Sequence, residues 1–436
     1  MCRVAQPYAC CVNDTLPVKL FFSLWRDTPF CRSLGQTSGM TTTDPKRLIE
    51  LDGIRGFGAL VVVLFHYVHL ITRQSPPGPL KHVADYLGWT IGIMDLFFIL
   101  SGFLIAGVLY DARTSPNFFR VFYLRRILRI FPLYYAVVGA FLITRLAVWA
   151  AVTTGISEGE AMHWLIQRPV GQLNATDGRW LASYLLYLQN LAMAYAGEYG
   201  AYWLSPTWSL AVEEQFYLGL PLLIRYVPPQ HLRLVVGGFI VAAPLLRFGL
   251  ALTPYNNPTA QYVLTPLRFD ALGFGVLTAL LYRDPAAWSW LEQQRRWWWA
   301  LLTLTSGWLW LLYSRRLSFY APAQTATFYF AQAVAYTMLF WLVLTHRAGR
   351  LAGFFRWWGF VRVGEFSYGL YLLHVPVLGL AHAVVFGTAP HLQTLPRIAV
   401  TIGAAGLVLA LAKLSWECFE KPFIRRGQQF RYDSPT

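Results

Sequence analysis

Charge is scarce in this chain. Only 13% of its 436 residues are Asp, Glu, Lys or Arg, and 56% are hydrophobic. A soluble domain carries about 25% charged residues, so a soluble globular protein of this length is excluded. Acidic residues are scarcer than basic ones, 21 against 36. The resulting charge of +15 would suit nucleic acid in a soluble protein, but in a membrane chain basic residues gather on cytoplasmic loops, and no nucleic-acid partner is expected. Cysteine is almost confined to the first forty residues, at Cys2, Cys10, Cys11 and Cys31, with Cys418 alone beyond them. Those spacings match no zinc pattern, so no metal site is expected. No signal-peptide pattern, internal repeat, low-complexity tract or appended soluble domain is present.

What is there is a series of apolar windows of helical length, with Trp and Tyr near their ends as interfacial anchors. The expected fold is an all-α polytopic membrane protein, one bundle of about ten transmembrane helices with both termini cytoplasmic. The spans are 54–72, 88–110, 130–152, 205–225, 234–252, 262–282, 297–313, 323–345, 365–388 and 396–418. The stretch 180–196 is ambiguous because it contains Ser183, Gln189 and Asn190. If it does not cross, the outer segments hold only Arg73, Lys81, Arg168, Arg179, Arg315 and Arg316, while the inner ones hold many more basic residues. If it crosses, every later loop inverts and the positive-inside bias is lost. It is therefore expected as an interfacial or re-entrant helix in the outer loop 153–204, which carries Glu158, Glu160 and Asp177 and is a candidate acceptor-facing lid. Residues 1–39 do not conform, and translation is expected to start at Met40. The transmembrane domain covers 40–426, and 427–436 is a short cytoplasmic tail. Intact mass of native protein checks the start: a mature product containing Cys10 would contradict it.

This topology gives each polar residue a depth. Arg55 lies at the inner end of the first span and His66 eleven residues on, roughly 16 Å away at 1.5 Å per residue and near the midplane of a ~30 Å core. An ionisable group at that depth is a functional candidate, although a histidine bonded for packing is the plain alternative. Glu213 and Glu214, His374, Asp95 and Ser101 reach comparable depth from other spans. Glu213 and Glu214, about 100° apart on a helix, cannot both face one cavity. A histidine beside a carboxylate suits general-base catalysis, and the same residue types serve proton relays in transporters. On the inner face, Arg125 and Arg129 lie one turn apart with Arg126 beside them. Clustered guanidinium groups suit phosphates, and they equally suit anchoring to anionic lipid.

The motifs resemble a known family. Leu51-Asp-Gly-Ile-Arg-Gly56 followed by His66 is similar to the arginine, ten residues, histidine signature of the acyltransferase 3 family of integral membrane acyltransferases. The segments 95–105, Arg125-Arg126 with Arg129 and Pro132, 208–217, 367–376 and 420–423 resemble its later blocks, in family order. The resemblance implies an acyl-CoA-dependent transferase, with no bound cofactor, that moves an acyl group (often acetyl, from acetyl-CoA) to a hydroxyl of a carbohydrate or lipid-linked acceptor. It implies a multi-pass protein of a cell membrane, expected as the bacterial inner membrane. Carried over by position, His66 is the catalytic histidine, and Arg55, Arg125 and Arg129 belong to the donor site, with Arg126 alongside. Some members append an extracytoplasmic hydrolase-like domain after the last helix. Here the chain ends at Thr436, and the membrane unit is expected to act alone or with a partner.

In the expected mechanism His66, oriented by Glu213 or Glu214, takes the proton of the acceptor hydroxyl. An acyl-histidine at His66 is an alternative, and acylation of Ser101 a third. Ser101, Ser209, Tyr217 and Tyr371 are candidate oxyanion donors or ordinary interhelical hydrogen bonds. The rivals from other classes are a proton-coupled exporter using His66 and Glu213 as its relay, and a non-catalytic membrane subunit.

Overall fold

A computed structural model describes residues 48–72, 78–154, 178–314 and 321–434. The expectations for residues 1–39 and for Glu158, Glu160 and Asp177 lie outside the described residues. Among the described residues every regular element is a helix. Helix α1 (Ile49–Leu64) runs into a π-helical turn, Phe65–Leu70. Helix α2 (Pro79–Leu87) leads through a 3-10 turn to α3 (Ile93–Asp111). Helix α4 (Phe118–Thr153) has 36 residues, followed by the short α5 (Gly178–Leu185) and α6 (Gln189–Ala196). Then come α7 (Trp208–Tyr226), α8 (Pro229–Ala251), the short α9 (Pro258–Val263), α10 (Phe269–Tyr282), α11 (Pro285–Gln293) and α12 (Arg295–Ser314). The chain closes with α13 (Pro322–Thr345), α14 (Arg350–Phe355), α15 (Trp358–Glu365), α16 (Ser367–Phe386), α17 (Leu395–Ser415) and, after a π turn, α18 (Lys421–Gln428).

Each expected span falls on one of these helices. Among the described residues seven stretches are long and apolar enough to cross a membrane. The expected spans outside that set are α7, which carries Glu213, Glu214 and Arg225, α10, which has 14 residues, and the tryptophan-rich α12. One boundary differs most: the span expected at 130–152 is the second part of α4, which already begins at Phe118. The arginine motif therefore lies on the same rigid helix, not in a loop before it.

The bundle is closed by glycines where backbones touch. A Cβ at Gly102 of α3 would stand 2.3 Å from the carbonyl oxygen of Leu272, and one at Gly275 of α10 would stand 2.2 Å from that of Ile99. Small residues that admit such approach are how helices associate in an apolar medium. The same device fixes α1: a Cβ at Gly56 would meet the Phe360 carbonyl at 1.9 Å, and one at Gly364 the Asp52 carbonyl at 2.0 Å. Arg55 is thus held between two glycine contacts.

Polar contacts tie distant segments to one end of the bundle. Arg283 pairs with Asp111 at 2.5 Å and Arg233 with Asp284 at 2.7 Å. Arg113 donates to the Val227 carbonyl at 2.8 Å, and Ser115 and Asn117 hold the main chain of Asp433 and Arg431 at 2.8 and 3.0 Å. Deeper in, Arg247 and Asp270 pair at 2.6 Å and Arg268 and Asp95 at 3.2 Å, all essentially without exposure. Arg268 is sandwiched between the rings of Tyr262 and Tyr329, each at 4.5 Å. Charges at such depth persist because they are paired.

Helices α5 and α6 form a turn of inverted polarity. Gln189 and Asn190 are fully buried, while Leu186, Leu188 and Leu191 point outward. An element that hides amides and shows leucines suits an apolar surround. Carbonyls at the end of α5 and in the turn, which lack a helical partner, are satisfied by side chains: Tyr134 donates to Tyr184, Tyr135 to Leu185 and Gln215 to Tyr187, at 2.7, 2.8 and 2.9 Å. Neither α5 nor α6 is among the described stretches long and apolar enough to cross a membrane.

Gly102→Val is expected to separate α3 from α10 and cost about 1–3 kcal/mol, as overpacking does. In a thermal melt of detergent-solubilised protein it should lower the midpoint by several degrees, whereas Gly403→Ala, which meets nothing within 4 Å, should not.

Candidate active site

A cavity of about 340 Å³ opens between α1, α3, α4, α7 and α16, within the usual size for small-molecule sites. Arg55, Arg126 and Arg129 line it together with Glu213, Ser101, Ser209, Tyr217, Tyr368 and Tyr371. Helical spacing explains the set. Arg126 and Arg129, three apart on α4, share a face, and so do Ser209, Glu213 and Tyr217 on α7. Glu214, about 100° round from Glu213, leaves the cavity and faces a group of tyrosines, with its Oε1 buried and unpaired. The expectation that only one of the two glutamates faces the cavity matches this geometry.

Three guanidinium groups crowd one space. Arg129 acts electrostatically on Arg55, and all three arginines act on Glu213. Asp52 meets Arg55 at 3.3 Å. Three cations and one carboxylate line the cavity, while Asp52 flanks Arg55 and, from outside the lining, Glu214 acts on Arg126 and Glu420 on Arg129. The lining itself is thus cationic, which suits an anion able to accept from planar forks.

Arg125 is not in this group. Its Nε and Nη2 donate to the Phe430 carbonyl at 2.8 and 2.5 Å, and its guanidinium sits over the Tyr432 ring at 5.3 Å. It faces the tail because Arg125 and Arg126, adjacent on a helix, point to different sides. Asp95, expected at the cavity, is engaged instead in the buried pair with Arg268, since it opens α3 on the face packed against the Arg268 turn. The candidate oxyanion donors are occupied by interhelical hydrogen bonds. Tyr371 donates to the Pro206 carbonyl at 2.5 Å, so Ser209 supplies the proton of its 2.6 Å bond to Tyr371. The Ser101 and Tyr217 hydroxyls are 2.6 Å apart and hydrogen-bonded across α3 and α7, with Glu213 beside them in the lining.

His66 stands beyond this cavity, at the start of the π turn, a local widening that recurs at functional sites. Its partner is not a carboxylate. Nδ1 is 2.9 Å from the Val62 carbonyl, and the ring meets that of His374 edge to face, centroids 4.7 Å apart. His374 is fully buried and lies against Tyr371 of the cavity wall, centroids 5.8 Å apart. Its Nδ1 is 2.6 Å from the Tyr371 carbonyl, and its Nε2 has no partner. Since a carbonyl can only accept, both Nδ1 atoms carry the proton and both Nε2 atoms present a lone pair. Two main-chain carbonyls thus do the orienting that was expected of Glu213 or Glu214. Among the described residues no group of three or more His, Cys, Asp or Glu could hold a metal ion.

A family model described as an acyltransferase domain, that of the acyltransferase 3 family, matches residues 48–415. The chain belongs to this family. With seven stretches apolar enough to cross, it is a multi-pass membrane protein. Curated relatives include YrhL of Bacillus subtilis, provisionally named a peptidoglycan O-acetyltransferase, 26% identical over 87% of this chain and 55% of the relative. The O-acetyltransferase OatA of Staphylococcus aureus is 25% identical over 88% of this chain and 58% of its own. The peptidoglycan O-acetyltransferase OatA of Listeria monocytogenes is 22% identical over 88% and 56%. The chain spans a little over half the length of these relatives. No solved structure matches it.

Within the family motifs, sequence reasoning did not single out Tyr368, a cavity residue, because a tyrosine on an apolar helix reads as packing. Nor did it foresee the π turn, which has no composition signal. Nitrogen-15 spectra of histidine-labelled protein check the tautomers. His66 and His374 are expected with protonated Nδ1 and bare Nε2, and a protonated Nε2 on His66 would contradict the geometry.

Proposed function

We propose that this acyltransferase 3 protein moves an acetyl group from cytoplasmic acetyl-CoA to a hydroxyl of a carbohydrate on the other side of the membrane. The observation that carries the reading is the pairing, in one bundle, of a cavity with three arginines and a histidine pair with two bare Nε2 atoms. Support for acetyl as the group and for a carbohydrate as its acceptor comes from the names of the relatives. Support for a cytoplasmic arginine end comes from the positive-inside bias and from the contacts that gather Arg113, Arg233 and Arg283 at one end with the tail. All ten expected spans cross in this reading, and both ends of the domain lie on the cytoplasmic side.

The donor's phosphates are held by Arg55, Arg126 and Arg129. Its pantetheine arm runs up between the helices past Ser101 and Tyr371 toward His374 and His66, roughly 16 Å above Arg55. His66 Nε2 takes the proton of the acceptor hydroxyl, and that oxygen attacks the thioester carbonyl carbon. The carbon–sulfur bond breaks, the thiolate leaves, and the imidazolium returns the proton to sulfur. Acceptor and acyl-CoA become ester and free CoA. Glu213 balances part of the cationic site.

Labelled acetyl transfer in proteoliposomes tests this. His66→Ala should cut turnover by roughly 100- to 10,000-fold, the usual worth of a general base, and full activity would end the proposal. Arg126→Ala combined with Arg129→Ala should raise KM for acetyl-CoA roughly ten-fold or more, as loss of charge-assisted hydrogen bonds does, with a smaller effect on kcat. Arg125→Ala should shift that KM far less, because Arg125 holds the tail.

A further inference from the structure

We infer that Phe97, whose ring rests on Gly58, is a specificity-determining residue for the acyl donor. It forms a narrow passage between the arginine cavity and the histidine pair, and it admits a straight acyl chain ahead of a branched one. The inference rests on the acyl-CoA donor proposed above and names what decides which acyl group reaches His66.

The cavity stops short of the histidines, since neither His66 nor His374 lines it. Its length follows α3. Met94, Phe97, Ser101, Leu104 and Val108, spaced by three and four residues, turn one face of that helix to the cavity. At 1.5 Å per residue this face runs roughly 21 Å, with Phe97 roughly 16 Å from Val108. Val108 lies near the end where Arg283 holds Asp111, so Phe97 belongs to the opposite end. Tyr371 is at that end too. Phe98 meets Trp208, centroids 6.0 Å apart, and the residue after Trp208, Ser209, bonds Tyr371 at 2.6 Å.

Gly58 sets the Phe97 ring on the way to His66. A Cβ at Gly58 would stand 2.8 Å from Cε2 and 2.9 Å from Cζ of Phe97, so the ring takes the room that a side chain on α1 would fill. Gly58, Val62 and His66 recur every four residues and share one face of α1 and its π turn. Arg55 lies roughly 4.5 Å before Gly58 along the axis and His66 roughly 12 Å after it. The ring therefore stands between the arginine that lines the cavity and the histidine beyond it.

The two aromatic walls at this end differ in freedom. The Tyr371 hydroxyl is tied to the Pro206 carbonyl and to Ser209, and its carbonyl to His374. Phe97 has no polar atom to tie and is only half-buried, so the width of the passage is set by its ring. That ring cannot retreat toward α1, because it already fills the space over Gly58. An unbranched thioester slides past it. A branch beside the thioester carbonyl adds a methyl group across the direction of travel and meets the cost of overpacking.

Donor selection tests this in proteoliposomes, with acetyl-CoA and isobutyryl-CoA as donors and soluble peptidoglycan fragments as acceptor. The ratio of kcat/KM for the two donors on one preparation does not depend on how much of the protein is folded. Wild-type protein should favour acetyl-CoA by roughly ten-fold or more, as a tight apolar site does against extra methyl groups. Phe97→Ala should bring the two donors close to parity, and Phe97→Leu should lower the preference in part. Gly58→Ala, which pushes the ring into the passage, should raise it. Gly58→Ala combined with Phe97→Leu should return it toward the wild-type value, as substitutions at touching residues couple. Equal use of both donors by the wild type, an unchanged ratio in both Phe97 variants, or loss of both donors in both variants would overturn the passage. Transfer from neither donor in the wild type would instead end the acyl-transfer reading, and the passage with it.

Discussion

Arg55, Arg126 and Arg129 crowd one cavity inside an apolar bundle, and much of the arrangement around them follows from that crowding. Like charges at close range in a poorly hydrated space repel strongly, so they stay together only where rigid elements hold them. Helix α4 carries two of them in one continuous rod, and glycine contacts at Gly56 and Gly364 lock the third on α1. Glu213 offsets part of the charge, and the Ser101–Tyr217 hydrogen bond ties α7 to α3. A cationic lining of this kind suits an anion, whose binding would relieve the repulsion.

The histidines are held by a different means. Each is oriented by a carbonyl of its own helix, Val62 for His66 and Tyr371 for His374. Orientation by main chain leaves no carboxylate bonded to either ring, which in the proposed reaction would spare the developing oxyanion a competing negative charge. Tyr67 of the π turn that continues α1 donates to the His374 carbonyl at 2.8 Å, which fixes the two helices, and hence the two rings, against each other.

The helical framework was legible because apolar length and loop charge are additive signals spread over many residues. The ten windows each met a helix, and 180–196 broke into two short helices with Gln189 and Asn190 buried. Arg55, Arg126, Arg129, Glu213 and Ser101 were legible by depth and came together as cavity residues. Depth alone could not say which way a side chain turns. Asp95 has the right depth, yet it serves Arg268. Arg125 has the right face of the membrane, yet it clasps the tail. Azimuth about a helix axis depends on partners far away in sequence, and so does the strained backbone of Tyr187.

The central claim is that one path joins the arginine cavity to the histidine pair. A cryo-electron microscopy structure with CoA bound tests it most directly. The account expects density for the phosphates against Arg55, Arg126 and Arg129, with the thiol end rising past Tyr371 to His374 and His66. Phosphates at another face, or a thiol end that turns away from the histidines, would contradict it.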